Sequence, residues 1–500
     1  MRRYFPDFEG FGAAAATGAE IIPVYRQLLA DRLTPVSAFQ VLGRDPHAFL
    51  LESVVGGEQV ARYSFIATAP SLVYQVAGGN ALIARAGMGG AKEFTTTDPL
   101  RDLQELLPHR KYHHTKNLPA FTGGLVGYAG YDTIRYYEGE KLTSPPKDDR
   151  HIPDLLFGLY NELVIFDHVD KTIKVVANAD LSKGPDPERA YADACRRIDG
   201  IVQRLQQPPM LSIGEIDPSG AANLRYQSNF TREDFEAAVR KGQEYIKAGD
   251  IFQFVPSQRF RVPSSADPFD VYRALRIINP SPFMFYLKSP ACTLIGSSPE
   301  ILCRVADGKV SSRPLAGTRR RGATPEEDRA LEAELLADPK ERAEHIMLVD
   351  LHRNDVGRVA KVGSVQISEV MTVERYSHVM HITTHVSGTL EDRMTAFDAL
   401  RVSLPVGTVS GAPKIRAMQI IDEVEPTRRG PYGGGVGYLD FAGNMDTCIA
   451  LRTIVWKNGT FDLQAGAGVV ADSIPAAEFD ETVSKAGAML KAVEVAEKGF

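Results

Sequence analysis

Residues 338–355 read DPKERAEHIMLVDLHRND and predict a helix whose first turns carry two glutamates. Asp338 is a typical N-cap residue, and Pro339 suits the first helical position. Glu341 and Glu344 are three residues apart, so they share one face of the predicted helix. Glu341 alone could be a capping-box residue that serves only the helix start. Glu344 lies beyond the capping positions, so the pair is a candidate for chemistry.

A second segment repeats this arrangement near the carboxyl end of the chain. Residues 473–475 read Ser-Ile-Pro, a plausible helix start, and Glu478 and Glu481 follow with the same spacing. Lys485 lies one turn after Glu481, so an ordinary surface ion pair is the alternative interpretation. Mg²⁺ prefers oxygen ligands and is typically held by one or two carboxylates together with an anionic substrate group. Two helix starts with paired carboxylates could therefore meet around Mg²⁺.

One stretch of the chain is typical of a linker. Residues 206–222 read QQPPMLSIGEIDPSGAA and are rich in Pro, Gly and Ser. They divide the chain near residue 215. The sequence therefore predicts an N-terminal region at 1–215 and a C-terminal region at 216–500.

The pattern of apolar residues predicts an α+β fold. Short alternating runs such as FLLESVV (49–55), SHVMHITTHV (377–386) and DLQAGAGVVA (462–471) predict strands. Helical spacing is found at 231–248 and 476–495, as well as in the segment quoted first. Strands punctuated by helices, without strict βαβ alternation, favour antiparallel sheets.

Composition argues against several classes of protein. The 500 residues are 44% apolar with a net charge of -6, which allows a large core and gives no basic field for nucleic acid. No apolar run reaches the roughly 18 residues needed to span a membrane. The first residues, MRRYFPDFEGFG, lack the apolar run of a secretory signal. The four cysteines form no CxxC pair, so we expect a reducing, cytoplasmic compartment.

Two further segments contain candidate site residues. His381 lies in a predicted strand and could act as a general acid or base, since imidazole titrates near neutral pH, although a hydrogen-bonded core histidine is the alternative. Glycines in YGGGVGY (432–438) and AGAG (465–468) can mark the close approach of a ligand. Neither segment matches GxGxxG, and GTVSGAPK (407–414) lacks Walker A spacing, which argues against nucleotide sites.

Taken together, five motifs resemble the chorismate-utilising enzymes over residues 228–490. They are RPLAGTRRRG (313–322), DPKERAEHIMLVDLHRNDVGRV (338–359), LPVGTVSGAPKIRAM (404–418), GPYGGGVGYL (430–439) and AGAGVVADSIPAAEFDETVSK (465–485). Within this family the chain is most similar to the anthranilate synthase large subunits, and LLESVVGGEQVARYSF (50–65) extends the resemblance into the N-terminal region. The resemblance implies the chorismate-binding fold, with antiparallel β-sheets packed together and helices outside.

The same resemblance implies an active site. Glu344 and Glu481 would bind Mg²⁺, which holds the ring carboxylate of chorismate, while Glu341 and Glu478 would assist through water. The implied chorismate contacts are Gly317, Thr318, Tyr432, Arg452, the backbone of Gly466, Ala467 and Gly468, and Lys485. His381 and Thr408 would lie beside the ring, with His381 as the residue for proton transfer.

The implied reaction is that of a lyase, which adds ammonia to chorismate and releases anthranilate and pyruvate. A separate glutamine amidotransferase subunit would supply the ammonia, in a dimer of heterodimers. Gln253 stands where water-adding relatives carry a lysine base, and Ala316 where 4-amino relatives carry a nucleophilic lysine. The alternatives are aminodeoxychorismate synthase, isochorismate or salicylate synthase, and a catalytically silent tryptophan sensor.

Feedback inhibition by L-tryptophan is also implied. The anthranilate synthase group uses two segments for this purpose, which here contain Ser53 and the residues Pro282, Phe283 and Met284. Without the resemblance, LLES is equally typical of a buried strand, and NPSP of a turn. We therefore predict a tryptophan site that joins the two regions of the chain.

Overall fold

The computed structural model describes residues 3–53, 62–107, 110–182, 184, 186–209, 211, 214–376 and 379–499. The helices are α1 Phe8–Ala16, α2 Pro35–Leu42, α3 Pro99–Leu106, α4 Arg135–Glu138, α5 Pro187–Leu205, α6 Arg232–Lys247, α7 Pro268–Ile278, α8 Pro325–Ala337, α9 Pro339–Gly357, α10 Ala396–Ser403, α11 Gly407–Ser410, α12 Lys414–Val424 and α13 Pro475–Lys498. A 3₁₀ turn, Tyr131–Ile134, precedes α4.

The strands occur along the whole chain. They are β1 Ile21–Leu29, β2 Ala48–Glu52, β3 Tyr63–Thr68, β4 Leu72–Ala77, β5 Asn80–Arg85, β6 Ala91–Thr95, β7 Gly124–Ala129, β8 Leu155–Tyr160, β9 Glu162–Asp167, β10 Thr172–Asp180, β11 Gln227–Ser228, β12 Gln253–Phe254, β13 Ser257–Pro263, β14 Phe283–Lys288, β15 Thr293–Ser298, β16 Ile301–Ala306, β17 Lys309–Ser312, β18 Leu315–Arg320, β19 Gln366–Arg375, β20 Val379–Thr389, β21 Gly411–Ala412, β22 Gly435–Asp440, β23 Met445–Ile449, β24 Thr453–Lys457 and β25 Thr460–Gly466.

Two large antiparallel sheets dominate the fold. Among the described residues, sheet A has eleven strands in the order β1-β10-β9-β3-β2-β14-β15-β24-β25-β13-β11. Sheet B, counted in the same way, has twelve, in the order β18-β20-β17-β16-β23-β22-β7-β8-β4-β5-β6, with β19 paired to β20. Strands β12 and β21 form a separate pair. The predicted α+β class with antiparallel sheets is confirmed.

The inner faces of sheets A and B share one hydrophobic core, and helices cover the outer faces. On β2, Phe49 points to the core between the sheets, whereas Ala48 and Leu50 belong to the core under the helices. On β7, Val126 and Tyr128 belong to the core between the sheets. This alternation follows from the two-residue period of a strand. Helices α1, α2, α5, α7 and α13 cover sheet A, while α3, α9 and α10 pack on sheet B.

Both sheets contain strands from either side of residue 215. In sheet A, β2 pairs with β14, where Leu51 lies opposite Phe285. In sheet B, β7 pairs with β22, where Val126 lies opposite Tyr438. The division into 1–215 and 216–500 stays a prediction about sequence regions, and those regions share both sheets.

The predicted helix starts are confirmed, because their signals are local. The side chain of Thr231 caps α6, and the Asp338 carboxylate accepts hydrogen bonds from the first turn of α9. Helix α13 begins at Pro475, one residue before the predicted start. None of the helices in the described ranges combines the length and apolar character needed to cross a membrane.

Candidate active site

A cavity of about 590 Å³ lies where the first turns of α9 and α13 meet the ends of β18, β20 and β25. It brings together most of the predicted active-site residues, namely Gly317, Thr318, Glu341, Glu344, His381, Thr408, Tyr432, Arg452, Gly466, Gly468, Glu478, Glu481 and Lys485. Ala467, between two of these glycines, is fully buried and does not line the cavity. Segments far apart in sequence thus converge on one space.

The four glutamates give this cavity a concentrated negative charge. Burial raises the pKa of Glu344, and the neighbouring carboxylates of Glu341 and Glu481 raise it further. Burial also raises the pKa of Glu478, with Glu481 adding to the effect. A bound divalent cation would relieve this repulsion.

The four glutamates of the cavity resemble the ligands of an open cation site. Within the described part of the chain, no three His, Cys, Asp or Glu side chains already form a closed metal site. Mg²⁺ commonly retains several waters and takes only one or two protein carboxylates along with a substrate anion. Carboxylates spread around a cavity large enough for a small anion would fit that mode of binding.

Glu341 and Glu481 each pair with a basic side chain. Asp338 caps α9 through its own side chain, and the Glu341 carboxylate contacts Arg319 at 3.3 Å, so Glu341 has a partner outside its helix. The ordinary ion pair is present, because Glu481 Oε1 lies 2.6 Å from Lys485 Nζ. Lys485 also donates to the carbonyl oxygen of Gly466 at 3.0 Å. The pair therefore links α13 to the glycine-rich end of β25.

An irregularity in β18 places a backbone carbonyl against His381. Gly317 has φ +62°, and the pairing with β20 shifts register between Ala316 and Arg319. A Cβ atom at Gly317 would lie 2.8 Å from Leu335 Cδ1 and 3.2 Å from Glu341 Oε2, so glycine is required both by conformation and by space.

The hydrogen bonds of His381 fix its tautomer. Nδ1 lies 2.9 Å from the Gly317 carbonyl oxygen and 3.2 Å from Thr318 Oγ1. A carbonyl oxygen only accepts, so Nδ1 carries the proton and Nε2 is the basic nitrogen. Burial lowers the pKa of His381, which keeps the ring neutral near pH 7. The arrangement suits a proton acceptor.

Arg452 supplies a half-buried positive charge. It lies in the cavity wall with φ +47°, and burial lowers its pKa. Within the described ranges it forms no salt bridge, although the Glu481 carboxylate exerts a favourable charge interaction on it. A partly desolvated guanidinium without a directly paired carboxylate is costly and suits an anionic ligand.

Glu300 is a cavity residue that sequence reasoning missed. It is 5% exposed, and burial raises the pKa of its carboxyl to about 8, although the Leu315 backbone and the Thr408 hydroxyl partly oppose the shift. Glu300 is therefore protonated at neutral pH and can donate a proton. No local pattern in the sequence marks Glu300, because Pro299 and Glu300 form a two-residue connection between β15 and β16, and such connections usually lie at the surface.

A second pocket, of about 260 Å³, lies between sheets A and B. It brings together all four residues predicted for tryptophan, Ser53, Pro282, Phe283 and Met284, with aromatic walls formed by Tyr63, Phe65 and Tyr438. The Ser53 hydroxyl is buried and has no hydrogen-bond partner within the described ranges. The rest of the motif that contains Ser53, residues 54–61, lies outside the described residues.

The carboxylate beside Ser53 has partners on α7. Glu52 accepts a hydrogen bond from Tyr272 Oη at 2.6 Å and pairs with Arg276 Nε at 2.7 Å. The pocket thus combines aromatic walls, an unused hydroxyl and a fixed carboxylate. This chemistry suits a small ligand with an aromatic face and polar groups.

Comparison with known proteins defines the class. The chorismate binding enzyme family matches residues 48–491, and the chain belongs to that family. The chain is 47% identical to anthranilate synthase component 1 of Pseudomonas putida over 492 residues, which cover 98% of this chain and 99% of that one. The resemblance to anthranilate synthase component 1 that the motifs predicted is thereby confirmed.

Solved structures agree with this assignment. Anthranilate synthase component I of Streptococcus pneumoniae TIGR4 superposes with a TM-score of 0.77 and 37% identity, covering 93% of this chain and 98% of that one. The menaquinone-specific isochorismate synthase of Escherichia coli superposes with a TM-score of 0.66 and 18% identity, covering 97% and 98%. The second likeness shows the fold alone.

Proposed function

We propose that this chain is the chorismate-converting subunit of an anthranilate synthase and forms anthranilate and pyruvate from chorismate and ammonia. The observation that carries the proposal is the convergence of four glutamates, Arg452, His381 and the protonated Glu300 on one cavity. The near full-length identity to anthranilate synthase component 1 supports the same reaction.

The cavity offers a group for two of the proton transfers that the reaction requires. Ammonia forms a bond to ring C2 while the C4 hydroxyl leaves, and that hydroxyl needs a proton to depart as water. Glu300 holds such a proton at neutral pH. The neutral Nε2 of His381 is the base that we assign to removal of the C2 hydrogen. The ring becomes aromatic as the C3–O bond breaks, and the departing enol takes up a proton at its methylene carbon to become pyruvate.

Charge in the cavity matches a substrate with two carboxylates. Arg452 and Lys485 provide cationic contacts, with Tyr432 and the glycines of β18 and β25 as walls. Glu344 and Glu481 would hold Mg²⁺, and Glu341 and Glu478 would assist through water. A bound Mg²⁺ would neutralise the ring carboxylate and so favour loss of the hydroxyl group.

Gln253 and Ala316, the two positions that differ in the water-adding and 4-amino relatives, both line this cavity. Gln253 is buried in the wall, and its neutral amide cannot activate water. Ala316 precedes Gly317 and offers no amine for covalent attack. These side chains support ammonia as the nucleophile and C2 as its target.

The proposal includes partners and regulation. A glutamine amidotransferase subunit would supply ammonia within a dimer of heterodimers, and L-tryptophan would inhibit from the pocket that contains Ser53 and Met284. The four free cysteines support a reducing cytoplasmic location.

Anthranilate fluorescence tests the reaction. Purified chain with chorismate, Mg²⁺ and ammonium should produce fluorescent anthranilate, and tryptophan should suppress it. Chorismate consumption with a different product would transfer the assignment to a sister enzyme. Tryptophan binding without chorismate consumption would instead favour the silent sensor.

A further inference from the structure

Arg319 lies just outside the cavity and contacts three carboxylates. Its Nε donates to Glu334 at 2.8 Å, its Nη2 to Asp338 at 2.9 Å and its Nη1 to Glu341 at 3.3 Å. These residues belong to the end of α8, the N-cap of α9 and the first turn of α9. One guanidinium on β18 therefore holds the junction of two helices.

The contact with Asp338 secures the start of α9. Asp338 uses Oδ1 to accept the backbone N–H groups of Lys340 and Glu341, at 2.9 and 3.3 Å, and offers Oδ2 to Arg319. A planar guanidinium can serve both carboxylates in a fixed geometry, which a lysine amine cannot do. Arg319 thus fixes the backbone turn that presents Glu341.

The contact with Glu341 orients its two oxygens. Oε1 of Glu341 faces Arg319. Oε2 lies beside Gly317, 3.2 Å from the point that a Cβ atom on this glycine would occupy. Arg319 Nη1 also donates to the carbonyl oxygen of Thr318 at 3.1 Å. The same nitrogen therefore links Glu341 to the backbone of Thr318 in the cavity wall.

We infer that Arg319 is a positioning residue, which sets Glu341 and the first turn of α9 against Gly317 and Thr318 and thereby strengthens divalent-cation binding in the cavity. The inference rests on the proposed function for the identity of the cavity, and it assigns Arg319 no contact with chorismate. Residues that orient metal-site carboxylates typically contribute about tenfold to a hundredfold in affinity or activity.

Arg320 provides a matched control. It is the next residue on the same strand, its side chain is 78% exposed, and its ion pair with Glu327 at 3.3 Å lies outside the cavity. Arg320→Ala removes the same charge from the chain and leaves the α9 junction intact. Arg319→Lys keeps the positive charge but loses the planar set of guanidinium N–H donors. This variant is measured in place of Arg319→Ala if Arg319→Ala does not fold.

The experiment measures Mn²⁺ binding by electron paramagnetic resonance with chorismate present and no ammonium, since Mn²⁺ suits the same oxygen ligands as Mg²⁺. We expect Arg319→Ala to weaken binding about tenfold or more and Arg320→Ala to change it by less than about twofold. In the ammonium-dependent reaction, Arg319→Ala should raise the KM for Mg²⁺ by a factor similar to its loss of Mn²⁺ affinity. Its kcat should largely recover at saturating Mg²⁺. Equal binding by the two variants would overturn the inference.

A double variant tests whether Arg319 and Glu341 act together. If they do, the loss of Mn²⁺ affinity when Arg319→Ala is combined with Glu341→Ala should be smaller than the product of the two single losses. Fully multiplying losses would contradict the inference. If Arg319→Ala weakens Mn²⁺ binding but the wild-type chain makes no anthranilate, the proposed function is rejected and the positioning role stands. If the wild-type chain makes anthranilate and the KM for Mg²⁺ is the same in Arg319→Ala and Arg320→Ala, the positioning role is rejected and the proposed function stands.

Discussion

Ser297 donates its backbone N–H to the carbonyl oxygen of Arg452 at 3.2 Å. Ser297 lies on β15 opposite Met284 of β14, and Met284 lines the pocket between the sheets. Arg452 lines the cavity that contains the glutamates. One residue thus stands between the two sites, so a ligand in the pocket has a short structural connection to a cationic residue of the cavity.

Filling the pocket should reduce tryptophan inhibition. Ser53→Phe places a large ring where the buried hydroxyl now lies, and we expect at least about a tenfold rise in the tryptophan concentration for half inhibition, because the pocket cannot hold both rings. Calorimetric titration with tryptophan checks binding directly. Ser265→Phe, at an exposed position, is the control. Unchanged tryptophan affinity in Ser53→Phe would contradict the assignment of the pocket.

Removal of the Glu300 proton should abolish most activity. Glu300→Gln cannot donate a proton, and loss of a general acid typically costs about a hundredfold or more in kcat. Because the pKa of Glu300 is about 8 and its protonated form is the active one, wild-type activity should fall as pH rises through that value. The measurement is a pH profile of anthranilate formation. Glu391→Gln, at an exposed position, should preserve the profile, and an unaltered profile in Glu300→Gln would exclude Glu300 as the acid.

The two glutamate pairs should differ in their dependence on Mg²⁺. Glu344→Gln and Glu481→Gln should each lose most activity at fixed Mg²⁺, with the KM for Mg²⁺ raised about tenfold or more. Glu341→Gln should lose less, because that residue is assigned an indirect role through water. Initial rates over a range of Mg²⁺ concentrations separate the three variants. Equally small losses in all of them would refute the metal assignment.

Gly317 should tolerate no side chain. Gly317→Ala combines a strained left-handed backbone with contacts to Leu335 and Glu341, so we expect a loss of about 1 to 3 kcal/mol in the free energy of unfolding, together with reduced activity. Denaturant unfolding and the anthranilate assay report the two effects. Gly363→Ala is the control for backbone strain alone. Gly363 also has a positive φ, +78°, but a Cβ atom added there meets no atom within 4 Å. Full activity in Gly317→Ala would show that the position of the Gly317 carbonyl is unimportant.

The sequence predicted those parts of the site that local signals determine. The Asp338 cap and Pro339 identified α9, and Pro475 with the spacing of the glutamates identified α13, since such signals act within one or two turns. The role of Glu300 was missed because its raised pKa comes from burial among distant segments. The pairing of β2 with β14 was equally inaccessible, because a strand pattern records which face is apolar and not which distant strand is the neighbour.

The β2–β14 pairing has a consequence for how the chain can be divided. Separating the polypeptide near residue 215 would expose a bare edge on each fragment of sheet A and another pair of edges in sheet B, and exposed edges promote aggregation. Fragments would therefore be expected to reassociate along this seam instead of behaving as independent modules. The pocket between the sheets lies on the seam and takes Ser53 from one fragment and Met284 from the other. An effector that fills it would hold the two fragments together and raise the temperature at which a split chain dissociates, and this stabilisation would keep growing with the logarithm of effector concentration after the pocket is saturated.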